Sequence, residues 1–280
     1  MREISVNEIT KNIKEMCIEA NHFLSNDMQE ELDKAAEKEA SEVGKYILGQ
    51  LQENLKIAAK EMIPICQDTG MAVIFLEIGQ EVHFIEGSLE EAIQEGVRQG
   101  YKEGYLRKSI VADPFLRENT KDNTPAVIHY TIGKGEQVKI TVAPKGFGSE
   151  NMSRIYMLKP ADGMEKAKEV ILKSVLEAGP NACPPVVVGV GIGGTFEKAA
   201  YLSKKALLRP IHKKSELLHI KKMEEELLEK INSSGIGPGG LGGRNTALAV
   251  NIETFPTHIA GLPVAVNICC HVNRHISRIL

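Results

Sequence analysis

The stretch Pro185-Val186-Val187-Val188-Gly189-Val190-Gly191-Ile192-Gly193-Gly194 sets an apolar, β-branched run directly before a glycine-rich turn. A short apolar run of this kind, with a proline at its start, is typical of a buried strand. Residues 195–208 then return to helical periodicity, so a strand, a glycine turn and a helix follow one another. This unit indicates an α/β protein.

The same glycines match the pattern G-x-G-x-x-G, which occurs in dinucleotide-binding folds between a strand and a helix. The acidic residue expected about 20 positions downstream is missing, because that region carries His212, Lys213 and Lys214. A turn of this kind also serves to bring backbone amides to an anion or to let a helix pack closely on a strand. Nucleotide binding therefore stays open as one alternative.

Periodicity divides the rest of the chain into further elements. Residues 7–60 have helical spacing, and Ser88-Leu89-Glu90-Glu91 is a capping-box pattern that predicts a helix to about Tyr101. Strands are predicted at 71–76, 125–130, 138–142, 246–252 and 263–268, with 125–142 as a hairpin, and helices at 161–178 and 217–231. We therefore predict an α/β fold with a helical amino-terminal layer (about 1–60) around small mixed β-sheets. It forms a single domain over 1–280, in one body or two lobes.

Composition excludes several functional classes. The net charge is −3 with 25% charged residues, which does not indicate a nucleic-acid partner. No apolar run approaches the roughly 18 residues of a membrane span, and the start Met1-Arg2-Glu3-Ile4-Ser5 lacks the layout of a signal peptide. Cysteines without short paired spacings are typical of reduced thiols, so a cytoplasmic location is expected.

Five cysteines occur in the chain, and three have unusual surroundings. Cys66, Cys183 and Cys270 lie at the ends of predicted elements, beside Pro, Gly, Asp or Arg residues, where a turn can aim a thiolate into a cleft. Cys17, on the first helix, is predicted to pack as a small apolar residue. Cys269 is predicted to pack in the same way, because neighbours on a strand point to opposite faces.

Three dispersed thiols suit two kinds of metal site. Zinc would take Cys66, Cys183, Cys270 and either His258 or His271, although structural zinc ligands usually come in closely spaced pairs. An iron–sulfur cluster with only three protein thiolates would leave one iron for a substrate.

Polar residues near these cysteines provide the groups that hydration or dehydration of a carboxylic acid needs. Asp68 and His258 can move protons near neutral pH. Arg107 offers a planar fork for a carboxylate, and Gln67 and the backbone at Gly146 and Gly148 offer neutral donors. Position in the sequence does not distinguish these roles from ordinary packing and surface roles.

Five motifs together resemble one known family, the iron–sulfur-dependent class I fumarate hydratases and tartrate dehydratases, and specifically its alpha subunit. The resemblance covers nearly the whole chain from about residue 40. The motifs are Pro64-Ile65-Cys66-Gln67-Asp68-Thr69-Gly70, Asn123-Thr124-Pro125-Ala126, Gly146-Phe147-Gly148-Ser149-Glu150-Asn151, Ala182-Cys183-Pro184-Pro185 and Gly235-Ile236-Gly237-Pro238-x-Gly240-Leu241-x-Gly243.

The resemblance implies a [4Fe–4S] cluster whose fourth iron binds the substrate. The matching ligands are Cys66, Cys183 and Cys270, the last preferred to Cys269 because the family motif reads Cys, three residues, Arg, as Cys270 and Arg274 do. It also implies catalytic roles for Asp68 and His258. The substrate contacts that it implies come from Gln67, Arg107, Gly146 and Gly148.

The family's carboxy-terminal catalytic domain is absent from this sequence, and in two-gene members it forms a separate beta subunit. The resemblance therefore implies an α₂β₂ heterotetramer that hydrates fumarate, a small dicarboxylate, reversibly to (S)-malate, with the chain alone inactive or nearly so. The Gly-Ser-Glu-Asn motif favours fumarate. The alternatives are an L-tartrate dehydratase alpha subunit and a non-catalytic subunit stabilised by a cluster or by zinc.

Overall fold

A computed structural model describes all 280 residues, which form eight α-helices and ten strands. The helices are α1 (Val6–His22), α2 (Asn26–Lys38), α3 (Glu42–Glu61), α4 (Leu89–Glu103), α5 (Phe147–Glu150), α6 (Gly163–Ala178), α7 (Phe196–Ala206) and α8 (Leu218–Asn232). The strands are β1 (Arg2–Ser5), β2 (Met71–Gly79), β3 (Val82–Ile85), β4 (Val127–Gly133), β5 (Val138–Lys145), β6 (Arg154–Leu158), β7 (Val186–Gly193), β8 (Ala247–Phe255), β9 (Leu262–Cys269) and β10 (Ile276–Ile279). The predicted α/β class with a helical start and small mixed sheets is confirmed.

The chain divides into two compact units. Unit 1 comprises Met1–Ser25, Leu55–Phe147 and Arg274–Leu280, and unit 2 comprises Asn26–Asn54 and Gly148–Asn273. The organisation predicted from the sequence, one domain with two possible lobes, stays a prediction.

The predicted amino-terminal helical layer is confirmed, and it consists of three separate helices. Phe23 ends α1 with an extended backbone (φ −126°, ψ 129°). The Glu39 carboxylate accepts the backbone N–H groups of Ala40 and Ser41 at 2.9 and 3.0 Å. Because a helix would need these donors for its own carbonyls, α2 ends here and α3 begins separately.

The four-stranded sheet of unit 1 has the order β10-β5-β2-β4. β2 is one of the two inner strands, antiparallel to β5 and parallel to β4. The predicted hairpin of β4 and β5 is therefore wrong, because β2 lies between them. β2 is buried along most of its length, and two flanking strands satisfy its backbone groups on both sides.

The core of unit 1 is formed by α1, α4 and this sheet. Ile13, Ile93, Leu76 and Ile140 are completely buried within it. The predicted capping box at Ser88 is confirmed in its main contact, since the hydroxyl accepts the N–H of Glu91.

The sheet of unit 2 has the order β6-β9-β7-β8, in which β7 pairs parallel to β8 and antiparallel to β9. Apolar residues of its strands form one cluster with α6 and α8. The alternate residues of β7 face α7. A Cβ at Gly189 would lie 2.2 Å from the carbonyl oxygen of Ser203, and a Cβ at Gly191 would lie 2.1 Å from the carbonyl oxygen of Ala199. These two glycines therefore let α7 pack on β7, so the G-x-G-x-x-G match has a packing explanation.

None of the helices combines the length and the apolar character needed to cross a membrane.

Candidate active site

The loop at residues 66–70, between α3 and β2, carries three of the predicted site residues of unit 1. Gly70 ends the loop with φ +78°, and a Cβ there would lie 2.7 Å from the carbonyl carbon of Lys145. Because a side chain would meet backbone that cannot give way, the turn requires glycine. The loop thereby lies directly against the end of β5.

Asp68 is held by backbone donors on both of its carboxylate oxygens. Oδ1 accepts the N–H of Gly70 at 3.0 Å, and Oδ2 accepts the N–H of Phe147 at 2.8 Å. A Cβ at Gly146 would lie 3.2 Å from Oδ2, so the absence of a side chain there lets the segment approach Asp68. The Phe147 amide is therefore bound to Asp68, while the carboxylate keeps a partly exposed side.

Arg274 fixes the main chain of this loop from within unit 1. It is 4% exposed, and its Nε and Nη2 donate to the carbonyl oxygens of Pro144 and Asp68 at 3.3 and 2.5 Å. In the sequence, the spacing to Arg274 distinguished Cys270 from Cys269 as the candidate ligand but did not indicate what Arg274 binds. Its contacts give the Cys, three residues, Arg motif a structural reason: the arginine orders the backbone that carries Asp68.

Thr69 joins this loop to the segment of Arg107. Its hydroxyl oxygen accepts the N–H of Arg107 at 2.9 Å and donates to the Arg107 carbonyl at 3.2 Å. Thr69 is buried, whereas the Arg107 side chain is exposed. The main chain of Arg107 is thus fixed beside the Asp68 loop while its guanidinium stays accessible.

Two further buried residues tie the same segments together. Tyr101 Oη lies 2.8 and 3.0 Å from the carbonyl oxygens of Thr69 and Gly70. Asn123 donates from Nδ2 to the Gly70 carbonyl at 3.2 Å and accepts the N–H of Ser109 at 2.7 Å. Asn123, the first residue of its motif, therefore links Gly70 to Ser109. Burial raises the pKa of Tyr101, so its hydroxyl remains a neutral donor.

We predict that Thr69→Val lowers the free energy of unfolding by about 1–3 kcal/mol, because the N–H and C=O of Arg107 lose their partner. Valine keeps the shape of threonine and removes only the hydroxyl. Urea denaturation measures the change, with Thr69→Ser as the matched control that keeps the hydroxyl. Equal midpoints for the two variants would contradict the prediction.

Acid should weaken unit 1 through Asp122. Burial by itself raises the pKa of this carboxyl, but the N–H and hydroxyl of Thr124 and the Nε of Arg98, at 3.0, 2.8 and 3.0 Å, lower it to about 2. A depressed pKa stabilises the fold above the unfolded value of about 3.9, and this contribution is lost as the pH falls towards about 2.

We therefore expect Asp122→Asn to cost about 1–2 kcal/mol of unfolding free energy at neutral pH and progressively less below about pH 4. Chemical denaturation at about pH 7 and about pH 3 measures the difference between wild type and variant. A difference that does not shrink in acid would refute this account.

Cys66 is half-buried at the start of the Asp68 loop, and its Sγ lies 3.4 Å from Oε1 of Gln67. Gln67 itself is exposed. Cys17 is completely buried in α1, where burial raises the pKa of its thiol to about 12. The predicted contrast between an accessible Cys66 and a packed Cys17 is confirmed.

Unit 2 brings the segments of Cys183 and Cys270 together. The Cys183 carbonyl accepts the backbone N–H of His271 at 3.4 Å and lies 3.1 Å from His271 Nδ1. Cys183 is exposed, with φ +52°, and its N–H donates to the Pro180 carbonyl at 3.0 Å. Cys269 is the last residue of β9 and is buried, whereas Cys270 follows the strand and is half-buried. Residues 263–269 are all buried, so burial along β9 does not show the predicted alternation, and the difference between the two cysteines comes from the end of the strand.

The structure does not place His258 with these two cysteines. Cys183 precedes the start of β7 and Cys270 follows the end of β9, and these two ends pair, Val187 with Cys269. His258 follows β8 at the other end of the sheet, so about eight strand residues, roughly 25 Å, separate it from the cysteines. It is exposed, and its Nδ1 accepts the N–H of Ala260 at 3.2 Å.

His258 contributes to a cavity of about 480 Å³ in unit 2, whose lining is mostly apolar and includes His219, Met223 and Phe255. This cavity contains none of the cysteines. The predicted catalytic role of His258 therefore stays a prediction without support from its own unit.

Two polar residues near the predicted site, the buried Lys145 and the half-buried Glu150, received no role from the sequence. Lys145 is 6% exposed, and its Nζ donates to the Gly146 carbonyl at 3.2 Å. In unit 2, Glu150 accepts from Lys204 at 2.5 Å and from Asn267 at 3.0 Å. The only sequence signal for these two residues was their position beside or within the motif at 146–151. Gly148, a predicted substrate contact in the same motif, is exposed on α5.

None of the five cysteines forms a disulfide. Within either unit taken alone, no three His, Cys, Asp or Glu side chains are grouped so that they could hold a metal ion. Cys66 belongs to unit 1, and Cys183 and Cys270 belong to unit 2.

The chain is thus an α/β protein in which backbone amides hold the Asp68 carboxylate. The next residue, Thr69, is hydrogen-bonded to the main chain of the exposed Arg107. The profile of the family "Fumarate hydratase (Fumerase)" matches residues 10–278. A protein of Methanocaldococcus jannaschii, provisionally named L(+)-tartrate dehydratase subunit alpha, is 44% identical over 273 residues, 95% of each chain. The L(+)-tartrate dehydratase subunit alpha of Escherichia coli strain K12 is 31% identical over 277 residues, 98% of this chain and 91% of its own.

The chain therefore belongs to the class I fumarate hydratase and tartrate dehydratase alpha family. It is a hydro-lyase of that family, as its resemblance in sequence predicts.

Proposed function

We propose that this chain is the alpha subunit of an iron–sulfur hydro-lyase that adds water reversibly to fumarate to give (S)-malate. The observation that supports this most directly is the fixed carboxylate of Asp68, whose loop is bound through Thr69 to the main chain of Arg107. A group that moves a proton and a group that binds a carboxylate are both required for this reaction.

Asp68 is suited to proton transfer because two backbone amides fix the orientation of its carboxylate. Its partly exposed side leaves lone pairs for a substrate hydroxyl. In this proposal Asp68 holds or accepts the proton of the oxygen that is added or removed.

Arg107 is suited to bind a substrate carboxylate, since its guanidinium is exposed and its main chain is fixed. A planar guanidinium can form two parallel hydrogen bonds with a carboxylate. The exposed amide of Gln67 and the backbone at Gly146 and Gly148 are proposed as further substrate contacts. They would orient the remaining oxygens without adding charge.

The donor set fits an iron–sulfur cluster. Cys66, Cys183 and Cys270 are at least partly exposed and form no disulfide, whereas Cys17 and Cys269 are buried. Thiolates are the ligands that such clusters use. We propose that these three cysteines bind one [4Fe–4S] cluster. When bound, it supplies a Lewis acid that polarises an oxygen of the substrate.

The relatives are named as alpha subunits, and we propose that this chain likewise works with a beta subunit, in an α₂β₂ assembly. The beta subunit would supply further cationic and acid–base groups, so the chain alone should be inactive or nearly so. Free cysteines persist in a reducing compartment, and we accordingly place the assembly in the cytoplasm.

L(+)-tartrate is the second candidate substrate, because both relatives compared above carry tartrate dehydratase names. Fumarate, (S)-malate and L(+)-tartrate share two carboxylates around a short carbon chain, so Arg107 would serve each of them. Parallel steady-state kinetics on fumarate, L(+)-tartrate and mesaconate with the complete assembly separates the candidates. A kcat/KM for tartrate above that for fumarate would replace the first proposal by the second.

A non-catalytic subunit stabilised by a cluster or by zinc is the remaining alternative. Anaerobic purification followed by metal and sulfide analysis tests the cofactor: about four irons and four sulfides per chain are expected. Stoichiometric zinc without sulfide would overturn the cluster. Activity that survives when the chain's Asp68 is removed would favour the non-catalytic reading.

A further inference from the structure

Glu39 is a buried carboxylate without a function in the proposed reaction. It follows α2 in unit 2 and is 2% exposed. Its charge is met by N–H groups, not by a cationic side chain. A buried charge of this kind is costly unless it is fully hydrogen-bonded, so its contacts indicate what it organises.

Most of these contacts come from the end of the glycine-rich loop, here defined as residues 235–245. The backbone N–H of Arg244 donates to Oε1 and Oε2 at 3.0 and 3.1 Å. Asn245 donates to Oε2 from its backbone N–H at 3.0 Å and from Nδ2 at 2.7 Å. Burial by itself raises the pKa of Glu39, but these bonds and that of Ser41 lower it to about 2. The group therefore stays charged.

Glycines allow this close approach. A Cβ at Gly243, which has φ +130°, would lie 2.8 Å from Glu39 Oε1. A Cβ at Gly44 would lie 2.8 Å from Glu39 Cγ. The carboxy-terminal end of the glycine-rich loop is thus shaped around the Glu39 side chain.

The middle of the glycine-rich loop contacts the segment that carries Cys183. The N–H of Gly239 donates to the Pro184 carbonyl at 2.9 Å. A Cβ at Gly240, which has φ +74°, would lie 2.3 Å from Pro180 Cβ. Pro180 and Pro184 stand on either side of Cys183, whose own N–H donates to the Pro180 carbonyl. One loop therefore contacts Glu39 at its end, and at its middle it contacts Pro180, three residues before Cys183, and Pro184, directly after it.

We propose that Glu39 is a positioning residue for Cys183, acting through the glycine-rich loop. The carboxylate orders the loop, and the ordered loop holds the Cys183 segment in its exposed, left-handed conformation. The significance for catalysis rests on the proposed function, in which Cys183 is a cluster ligand. The coupling between Glu39 and the Cys183 backbone does not rest on it.

Hydrogen exchange of the full-length chain, kept anaerobic, measures this coupling by mass spectrometry of peptides. Glu39→Gln keeps the size of the side chain but places an NH₂ group against backbone donors. We expect amide exchange to accelerate about tenfold or more at residues 239–246 and also at residues 181–183. Acceleration of the loop alone, with 181–183 unchanged, would overturn the proposal.

Glu224→Gln is the matched control for general destabilisation. Glu224 is also fully buried in unit 2, pairs with Arg209, and accepts the N–H groups of Ile252 and Ser215 at 2.8 and 3.0 Å. None of these three partners belongs to the glycine-rich loop. We expect faster exchange near 215 and 252 with exchange at 181–183 within about twofold of wild type. An equal acceleration at 181–183 in both variants would count against a specific role for Glu39.

Gly240→Ala provides a second route should Glu39→Gln fail to fold. The added methyl group meets Pro180 and leaves the contacts of Glu39 in place, so exchange at 181–183 should accelerate while exchange at 244–245 remains slow. Unchanged exchange at 181–183 would break the link between the loop and Cys183.

The rate at which the anaerobically purified chain loses iron to a chelator tests the consequence for the cofactor. We expect a rate about tenfold or more above wild type in Glu39→Gln, and near wild type in Glu224→Gln. Exchange coupling without faster iron loss would show that Glu39 positions the segment but not a ligand. A wild-type chain without iron and sulfide would instead overturn the proposed function and leave the exchange result standing.

Discussion

If Cys270 is a ligand of the proposed cluster, Cys270→Ala should leave the protein without iron and sulfide, and hydro-lyase activity of the proposed assembly with a beta subunit should fall by at least about 10³-fold. The substitution removes one of the three proposed thiolate ligands, and Lewis-acid assistance is worth several kcal/mol of barrier. Iron and sulfide per chain, together with the visible absorbance of the cluster, measure the first effect. Turnover of fumarate measures the second.

Cys269→Ala is the matched control, because it removes the adjacent thiol. Cys269 is buried whereas Cys270 is half-buried, so this variant should lose some stability to a cavity but keep its iron. Full iron content in Cys270→Ala, or loss of iron in Cys269→Ala at an unchanged fold, would reverse the assignment of the third ligand.

Asp68→Asn should lower kcat by about 10²–10⁴-fold while the cluster content stays at the wild-type level. The amide keeps the shape of the side chain but cannot accept a proton as a carboxylate does, and proton transfer by a placed side chain contributes a factor of this size. Rates at saturating substrate, normalised to iron content, measure the effect. Asp113→Asn is the control, since Asp113 also accepts two backbone N–H groups, of Phe115 and Leu116.

Arg107→Met should chiefly raise KM, with kcat/KM lower by about 10–10²-fold, because a charge-assisted pair with a substrate carboxylate is lost. Lys108→Met, which removes the neighbouring exposed cation, should change kcat/KM little. If Asp68→Asn and Arg107→Met both keep full activity with intact clusters, the catalytic chemistry lies outside this chain.

Elements with strong local patterns were predicted well from the sequence. Apolar periodicity and the flanking Gly, Pro and capping residues predicted four elements close to their observed bounds: the helices at 89–103, 163–178 and 218–232 and the strand at 186–193. The strands β1, β3, β6 and β10 were missed. All four are only four or five residues long, and their pairing depends on partners far along the chain, as in β1 with β3 and β10 with β5.

The candidate site was only partly predictable. Residue chemistry and the family resemblance identified Asp68 and Arg107, but not that Thr69 joins them or that Arg274 fixes the Asp68 backbone. Thr69 and Arg274 are buried and bind backbone atoms of other residues. Every residue has such backbone atoms, so the sequence does not indicate which residues these two side chains bind. A motif can show that such residues belong together without showing which atoms they bind.

By itself, the sequence determined the α/β class, the family and the division of the cysteines into three accessible and two packed thiols. These follow from short-range periodicity and from motifs within a few residues. Only the tertiary structure decided that β2 separates β4 from β5, that His258 lies at the far end of the sheet from Cys183 and Cys270, and that Glu39 binds Asn245. Each of these depends on hydrogen bonds between residues far apart in the chain, and such partners are chosen by the packing of the whole core.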